Sequence, residues 1–223
     1  MSETRLLRLA PSTVLKEKRL AALVGRKGEG AAEVADRAVR EAQVAGSLEI
    51  ASASAPADSD GLRRASSMTP RRGFAVAALL EWHAAITGRP PGLRVGSIPR
   101  PDGPPPSPPE FIRTRLENLE TWLGGEGAAQ LTAGQRGALV LARLVEILPF
   151  PDANGRVSRL AASHVMTSAG SRPPILLGSD RERLKACLEA AFQLSTEALV
   201  LLLEEASERA LDVAIQSLAD ESG

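Results

Sequence analysis

Residues 148–159 read Leu-Pro-Phe-Pro-Asp-Ala-Asn-Gly-Arg-Val-Ser-Arg, and most of these types can serve a phosphorylated ligand. The Asn154-Gly155 pair opens a helical pattern, so unpaired backbone N–H groups and the positive end of the helix dipole fall there. Asn and Gly both tolerate the positive-φ conformations that curl such N–H groups into a concave nest. Arg156 and Arg159, three apart, share one helix face and can fork onto phosphate oxygens from the same side. Asp152 adds a hard oxygen ligand. Magnesium usually takes only one or two protein carboxylates and leaves its other positions to phosphate and water. Phe150 is the apolar anchor of the loop. The chemistry implied is a site for a magnesium-bound di- or triphosphate. The same residues also suit a plain corner between helices, with Asp152 capping, Asn-Gly turning and both arginines solvated.

Two helical patterns must position this loop, one over 132–147 leading in and one over 155–169 leading out. Further helices are predicted at 13–24, at 31–46 (a small-residue face of Ala31, Val34, Ala35, Ala38, Val39 and Ala42), at 72–87 and at 108–123. The last of these carries Pro in its first turn, where its missing N–H costs nothing. A long helical region over 180–219 is predicted to break once near Ser195. Residues 51–70 turn to Ala, Ser, Asp and Pro, which is linker composition. The Pro-rich stretch 93–110 cannot be helical, and the alternation in Leu93–Ile98 suggests a short strand or hairpin arm. The expected fold class is therefore all-α, a helical bundle with one short extended segment. Its expected division is an N-terminal helical arm at 1–50, a linker at 51–71, a core at 72–200 and a C-terminal helix at 201–223.

Composition narrows the functions. Lys+Arg 27 balances Asp+Glu 27 in a 223-residue chain, which gives no support for a general nucleic-acid or acidic-membrane partner. Tyr is absent and only four Phe and two Trp are present, too few for a base-stacking platform. No apolar run reaches the ~18 residues a membrane span needs. The N-terminus lacks the pattern of a secretion signal, so a cytoplasmic location is expected. One cysteine, Cys187, excludes an internal disulfide and sits in an apolar helical pattern as a core thiol. His83 reads as a surface or core-edge histidine on its own helix.

The stretch 148–159 resembles the signature of the Fic family, His-Pro-Phe-x-Asp/Glu-Gly/Ala-Asn-Gly-Arg-x-x-Arg, with eight of its nine specified positions matched in register. The resemblance extends over roughly residues 72–200 and implies a Fic-like helical bundle with a short β-hairpin flap. Fic proteins are mostly nucleotidyl transferases that move AMP from ATP onto a protein hydroxyl with magnesium. Carried over, Asp152 would bind Mg2+, while Asn154, Gly155 and Arg156 would hold the nucleotide's phosphates and Arg159 the terminal phosphate. Arg94, Val95, Gly96, Ser97 and Ile98 would form the flap that pairs with a target peptide. Many relatives also carry an inhibitory helix whose Glu pairs with the last motif Arg. Here Ala45–Ile50 retains Glu49 but not the pattern's outer positions.

The departure lies where the family keeps its histidine, the general base that takes the proton from the attacking hydroxyl. Leu148 cannot titrate, and a positioned base is worth roughly 10²–10⁴ in rate, or about 3–5 kcal/mol. His164 lies five residues beyond Arg159, about 140° round the helix, and does not replace it. Three readings stay open. One is a degenerate Fic domain that binds a nucleotide or another phosphorylated small molecule and serves as a partner or regulator of a protein. The second is a Fic-fold nucleotidyl or phosphoryl transferase with histidine-independent chemistry. The third is a structural interaction module.

Overall fold

The computed structural model describes residues 11–51, 59–68, 74–100 and 103–220. Ten α-helices appear among them: α1 (Pro11–Lys27), α2 (Ala31–Ala51), α3 (Ser59–Ser67), α4 (Val76–Thr87), α5 (Pro109–Leu123), α6 (Glu126–Ala129), α7 (Ala133–Ile147), α8 (Asn154–Ser168), α9 (Arg181–Phe192) and α10 (Glu197–Asp220). The architecture is all-α, and no strand occurs among the described residues.

The α7–α8 pair is the centre of the bundle. Thr132 starts α7 with a reciprocal capping box to Gln135, which satisfies two N–H groups that the helix itself cannot. The two helices then approach closely through small residues. A Cβ on Gly137 would lie 2.5 Å from Met166 Cγ, so only glycine permits that spacing. On one side of the pair, α4 and α5 bury Leu79, Ile86, Ile112 and Leu116 against Leu144, Phe150 and Val157. On the other, α9 and α10 bury Leu184, Leu199 and Leu203 against Leu141 and Met166. A third cluster joins α1, α2 and α10 through Leu20, Val39, Leu211 and Leu218. Helix α2 is thus packed along α10 rather than projecting as a separate arm.

Several sequence expectations need correction. Residues 59–67, expected as linker, form α3, whose Leu62 and Ala65 are buried against α4. The remaining linker residues, 52–58 and 69–71, lie outside the described residues. Helix α4 begins at Val76, not 72, and its first N–H is received by Glu120 Oε2 at 3.1 Å. Residues 93–100 run as extended chain with no ladder, so the expected hairpin at Arg94–Ile98 is not present among the described residues. There Arg94 turns its guanidinium onto the carbonyls of Gly96, Ser107, Ile147 and Leu148. The expected break near Ser195 separates α9 from α10.

Candidate functional site

The loop from Leu148 to Ala153 connects α7 to α8, and both of its ends are left-handed. Leu148 caps α7 at φ 48°, ψ 67°, and Ala153 caps α8 at φ 56°, ψ 7°. Non-glycine residues rarely hold positive φ, and such strain persists only where surrounding contacts enforce it. Here the enforcing contacts are specific. Phe150 is fully buried. Its N–H donates to Asn154 Oδ1 at 2.9 Å, and Asn154 Nδ2 donates back to its carbonyl at 2.7 Å. The buried Asn154 amide is therefore a staple that closes the loop. From the other side, Arg94 donates through Nε to the Leu148 carbonyl at 2.6 Å, through Nη1 to Gly96, and through Nη2 to Ser107 and Ile147. Its backbone N–H also donates to the Pro149 carbonyl at 3.0 Å. Arg94 is 5% exposed, and its fork of donors ties residues 94–107 to the end of α7. Val95 beside it is 94% exposed.

Past Ala153 the chain enters α8, whose first helical hydrogen bond runs from Val157 N–H to the Ala153 carbonyl at 3.0 Å. The N–H groups of Asn154 and Gly155 precede that bond at the positive end of the helix. Gly155 is exposed, and a Cβ there would stand 3.2 Å from Arg159 Nη1. Its lack of a side chain lets the Arg159 guanidinium lie over the helix start. Arg159 donates through Nε to Ser47 Oγ at 3.0 Å and through Nη2 to the Ser47 carbonyl at 2.9 Å. Burial, and then the buried Arg156 nearby, lower its pKa to about 10; no carboxylate is among the groups acting on it. Two cationic side chains therefore crowd one helix start, and among the described residues no carboxylate acts on Arg159.

Glu49, placed by the sequence in the position to pair with Arg159, points elsewhere. Its carboxylate accepts from Gly178 N–H at 2.9 Å, and its backbone carbonyl accepts from Arg181. Ser47, two residues earlier, meets Arg159. Next to Gly155 and Arg159 lies a cavity of about 250 Å³ whose walls include Ile50, Leu141, Arg181, Lys185, Leu188 and Phe192. Its walls mix apolar side chains with the basic Arg181 and Lys185 and the acidic Glu189.

Asp152 stands on the opposite flank of the loop, half-exposed. One oxygen lies 3.1 Å from His83 Nε2 and the other 2.9 Å from Arg89 Nη1. His83 is the residue that sequence reasoning misplaced. It is 1% exposed, and its ring stacks on Phe150 at 4.2 Å with 6° between planes. Burial lowers its pKa, against a raising effect from Asp152. The neutral ring then donates its Nε2 proton to Asp152 and leaves Nδ1, buried and without a partner, as a bare acceptor. The available signal was its register, since Leu79, His83 and Ile86 fall on the buried face of α4. His164 sits edge-on to Trp82 at 5.8 Å. Cys187 is buried, with its thiol pKa raised by that burial.

Among the described residues no group of three or more His, Cys, Asp or Glu side chains could hold a metal ion. Asp152 alone fits a magnesium ion only where the ligand's phosphate oxygens complete the coordination.

The strained loop and the paired arginines lie inside a family match. Residues 73–166 match the model of the Fic/DOC family. That segment is similar to a Fic domain. Over 146 residues the chain is 27% identical to the protein adenylyltransferase Fic of Drosophila virilis, covering 64% of this chain and 30% of the fly protein. The corresponding Drosophila melanogaster protein is also 27% identical over 146 residues, with the same two shares. The chain thus spans less than a third of these curated relatives. In fold it is similar to a fragment of Fic-1 from C. elegans, with a TM-score of 0.73 at 19% identity, covering 92% of this chain and 71% of that one. It is also similar to a Fic-domain-containing signaling protein from Bacteroides thetaiotaomicron, with a TM-score of 0.75 at 15% identity, covering 94% and 98%. Both likenesses concern the fold. The helices that carry the Fic motif are α7 and α8, and the match begins just ahead of α4, the helix of His83.

Proposed function

We propose that this Fic-like domain binds a nucleotide or another polyphosphate, with Mg2+ supplied alongside it, and lacks the base for ordinary transfer of AMP to a protein. The observation that carries this reading is Arg159. Its guanidinium is half-buried beside Arg156 at the start of α8 and, among the described residues, is met by the neutral oxygens of Ser47. A cation partly withdrawn from water without a counter-charge is costly, and an anion at the helix N-terminus relieves that cost through both arginines and the helix dipole. The adjoining cavity suits a group with an apolar, flat part attached to the phosphates. A purely structural corner would have no use for two arginines kept this close together.

The division of labour follows from the contacts. Arg156, Arg159 and the first N–H groups of α8 hold phosphate oxygens. Asn154 acts by keeping the loop closed. Asp152 is the residue that would hold magnesium, which would neutralise phosphate charge when bound. Leu148 offers no proton acceptor where a target hydroxyl would lose its proton. A domain of this kind acts as a ligand-responsive partner or regulator of another protein. Calorimetric titration with nucleoside triphosphates, diphosphates and pyrophosphate tests the reading. Binding that is lost in Arg156→Ala supports it, and no binding by any member of the panel overturns it.

A further inference from the structure

The two oxygens of Asp152 are held in different ways. His83, which engages Oδ1, is buried and stacked on a fully buried Phe150, so that contact cannot open without disturbing the core. Arg89, which engages Oδ2 at 2.9 Å, has a side chain 59% exposed on the loop after α4. The turn that delivers it is Gly88, left-handed at φ 69°, whose N–H caps the helix at the Ala84 carbonyl. One oxygen is therefore oriented from the core, in the way an outer-shell partner orients a metal-binding carboxylate. The other is covered by a long surface cation.

We infer that Arg89 is a resident counter-cation on Asp152, which a divalent metal must displace from Oδ2 while His83 keeps Oδ1 in place. This rests on the reading of Asp152 as the metal-holding residue of a polyphosphate site. An ion pair as exposed as this is worth little, so the displacement is readily reversible. Its consequence is an order of events: Arg89 leaves Oδ2 as the metal arrives, and phosphate oxygens already held at Arg156 and Arg159 complete the metal's coordination. The anion docks with Arg89 still on Asp152, and the metal enters by exchange with the guanidinium.

The test follows Mn2+ by the paramagnetic broadening of the backbone amide signals of Phe150, Asp152, Ala153 and Asn154, in the native protein and in Arg89→Ala, Arg89→Gln and the variant at position 152, Asp152→Asn. Each is measured with Mn2+ alone and with Mn2+ and pyrophosphate; pyrophosphate binding in EDTA is measured separately by calorimetry. Both Arg89 variants should reach half-maximal broadening at about two- to fivefold less Mn2+ than the native protein, the range expected for losing one exposed ion pair. Their affinity for metal-free pyrophosphate should be unchanged, and Asp152→Asn should lose the broadening. Equal or weaker Mn2+ affinity in the Arg89 variants overturns the inference, as does broadening that survives in Asp152→Asn. Failure of the native protein to bind pyrophosphate in EDTA would instead count against the phosphate site, while the Mn2+ series still decides the role of Arg89.

Discussion

Among the described residues Arg159 is held by Ser47 and not by a carboxylate: Nε donates to the serine hydroxyl at 3.0 Å and Nη2 to its carbonyl at 2.9 Å. Two neutral oxygens at the end of α2 thus stand where phosphate oxygens would approach this guanidinium. Ser47→Ala removes the hydroxyl and leaves a half-buried charged donor unmet, at a cost of about 1–3 kcal/mol. A phosphate can supply the missing acceptor. The expected result is a lowered melting temperature in the variant and a larger pyrophosphate-induced rise than in the native protein. Calorimetric scans with and without pyrophosphate check this, and an equal rise in both would contradict it.

The seat of α2 is unusually tight. A Cβ on Gly46 would fall 1.9 Å from the Leu176 carbonyl oxygen, a backbone atom that cannot swing aside. Gln43 donates to the Pro174 carbonyl at 2.9 Å on the same side. Gly46→Ala should therefore cost about 1–3 kcal/mol or more through overpacking, despite the better helix propensity of alanine. Urea unfolding measures it.

Arg94 should be among the most sensitive positions outside the motif. Its guanidinium serves carbonyls of Gly96, Ser107, Ile147 and Leu148 from a buried site. Arg94→Met fills similar space but leaves those acceptors unmet, for an expected loss of about 3 kcal/mol or more. Arg94→Lys, a point donor in place of a planar fork, should recover only part of it. Val95→Ser, one residue away and exposed, should change stability by less than about 0.5 kcal/mol.

His83 gives the protein a defined sensitivity to acid. Its folded pKa lies below the ordinary 6.5, first because it is buried. The unfolded chain therefore takes up a proton that the folded one resists. The stability is fully present above pH 6.5 and is lost as pH falls below it towards the lower folded value. The slope approaches about 1.4 kcal/mol per pH unit for this one group. His83→Gln, which keeps a donor for Asp152, should flatten the difference in unfolding free energy between pH 7 and pH 5. An unchanged slope would show that the imidazole is protonated in the fold.

Much of this was legible in the sequence where local rules decide. Asn-Gly at the loop's end, Pro109 at the first turn of α5, and the apolar spacing of α7 and α8 each fix an element without help from the rest of the chain. What depended on distant contacts was not legible. The nine residues of α3 have the composition of a linker, and only burial of Leu62 and Ala65 on α4 makes them helical. Alternation in 93–98 suggested a hairpin, but Arg94 turns inward and binds the carbonyls itself. His83 and Asp152 lie 69 residues apart, and nothing in either neighbourhood announces the other. Ser47 and Glu49 differ by two positions on one helix, and only the packing of α2 decides which of them reaches Arg159.

The proposed site lacks a base at Leu148, and there the proposal can be put to the test. The backbone there is left-handed, at φ 48°, a conformation that histidine adopts several-fold more readily than leucine. Leu148→His should therefore fold without added strain. The decisive measurement is transfer of label from ATP carrying radioactive phosphorus at its α position, with magnesium, to protein acceptors, compared between the native chain and Leu148→His. Restored transfer of about 10²–10⁴-fold over the native background is the expected result. A Leu148→His protein that binds ATP as the native chain does but transfers no label would contradict it.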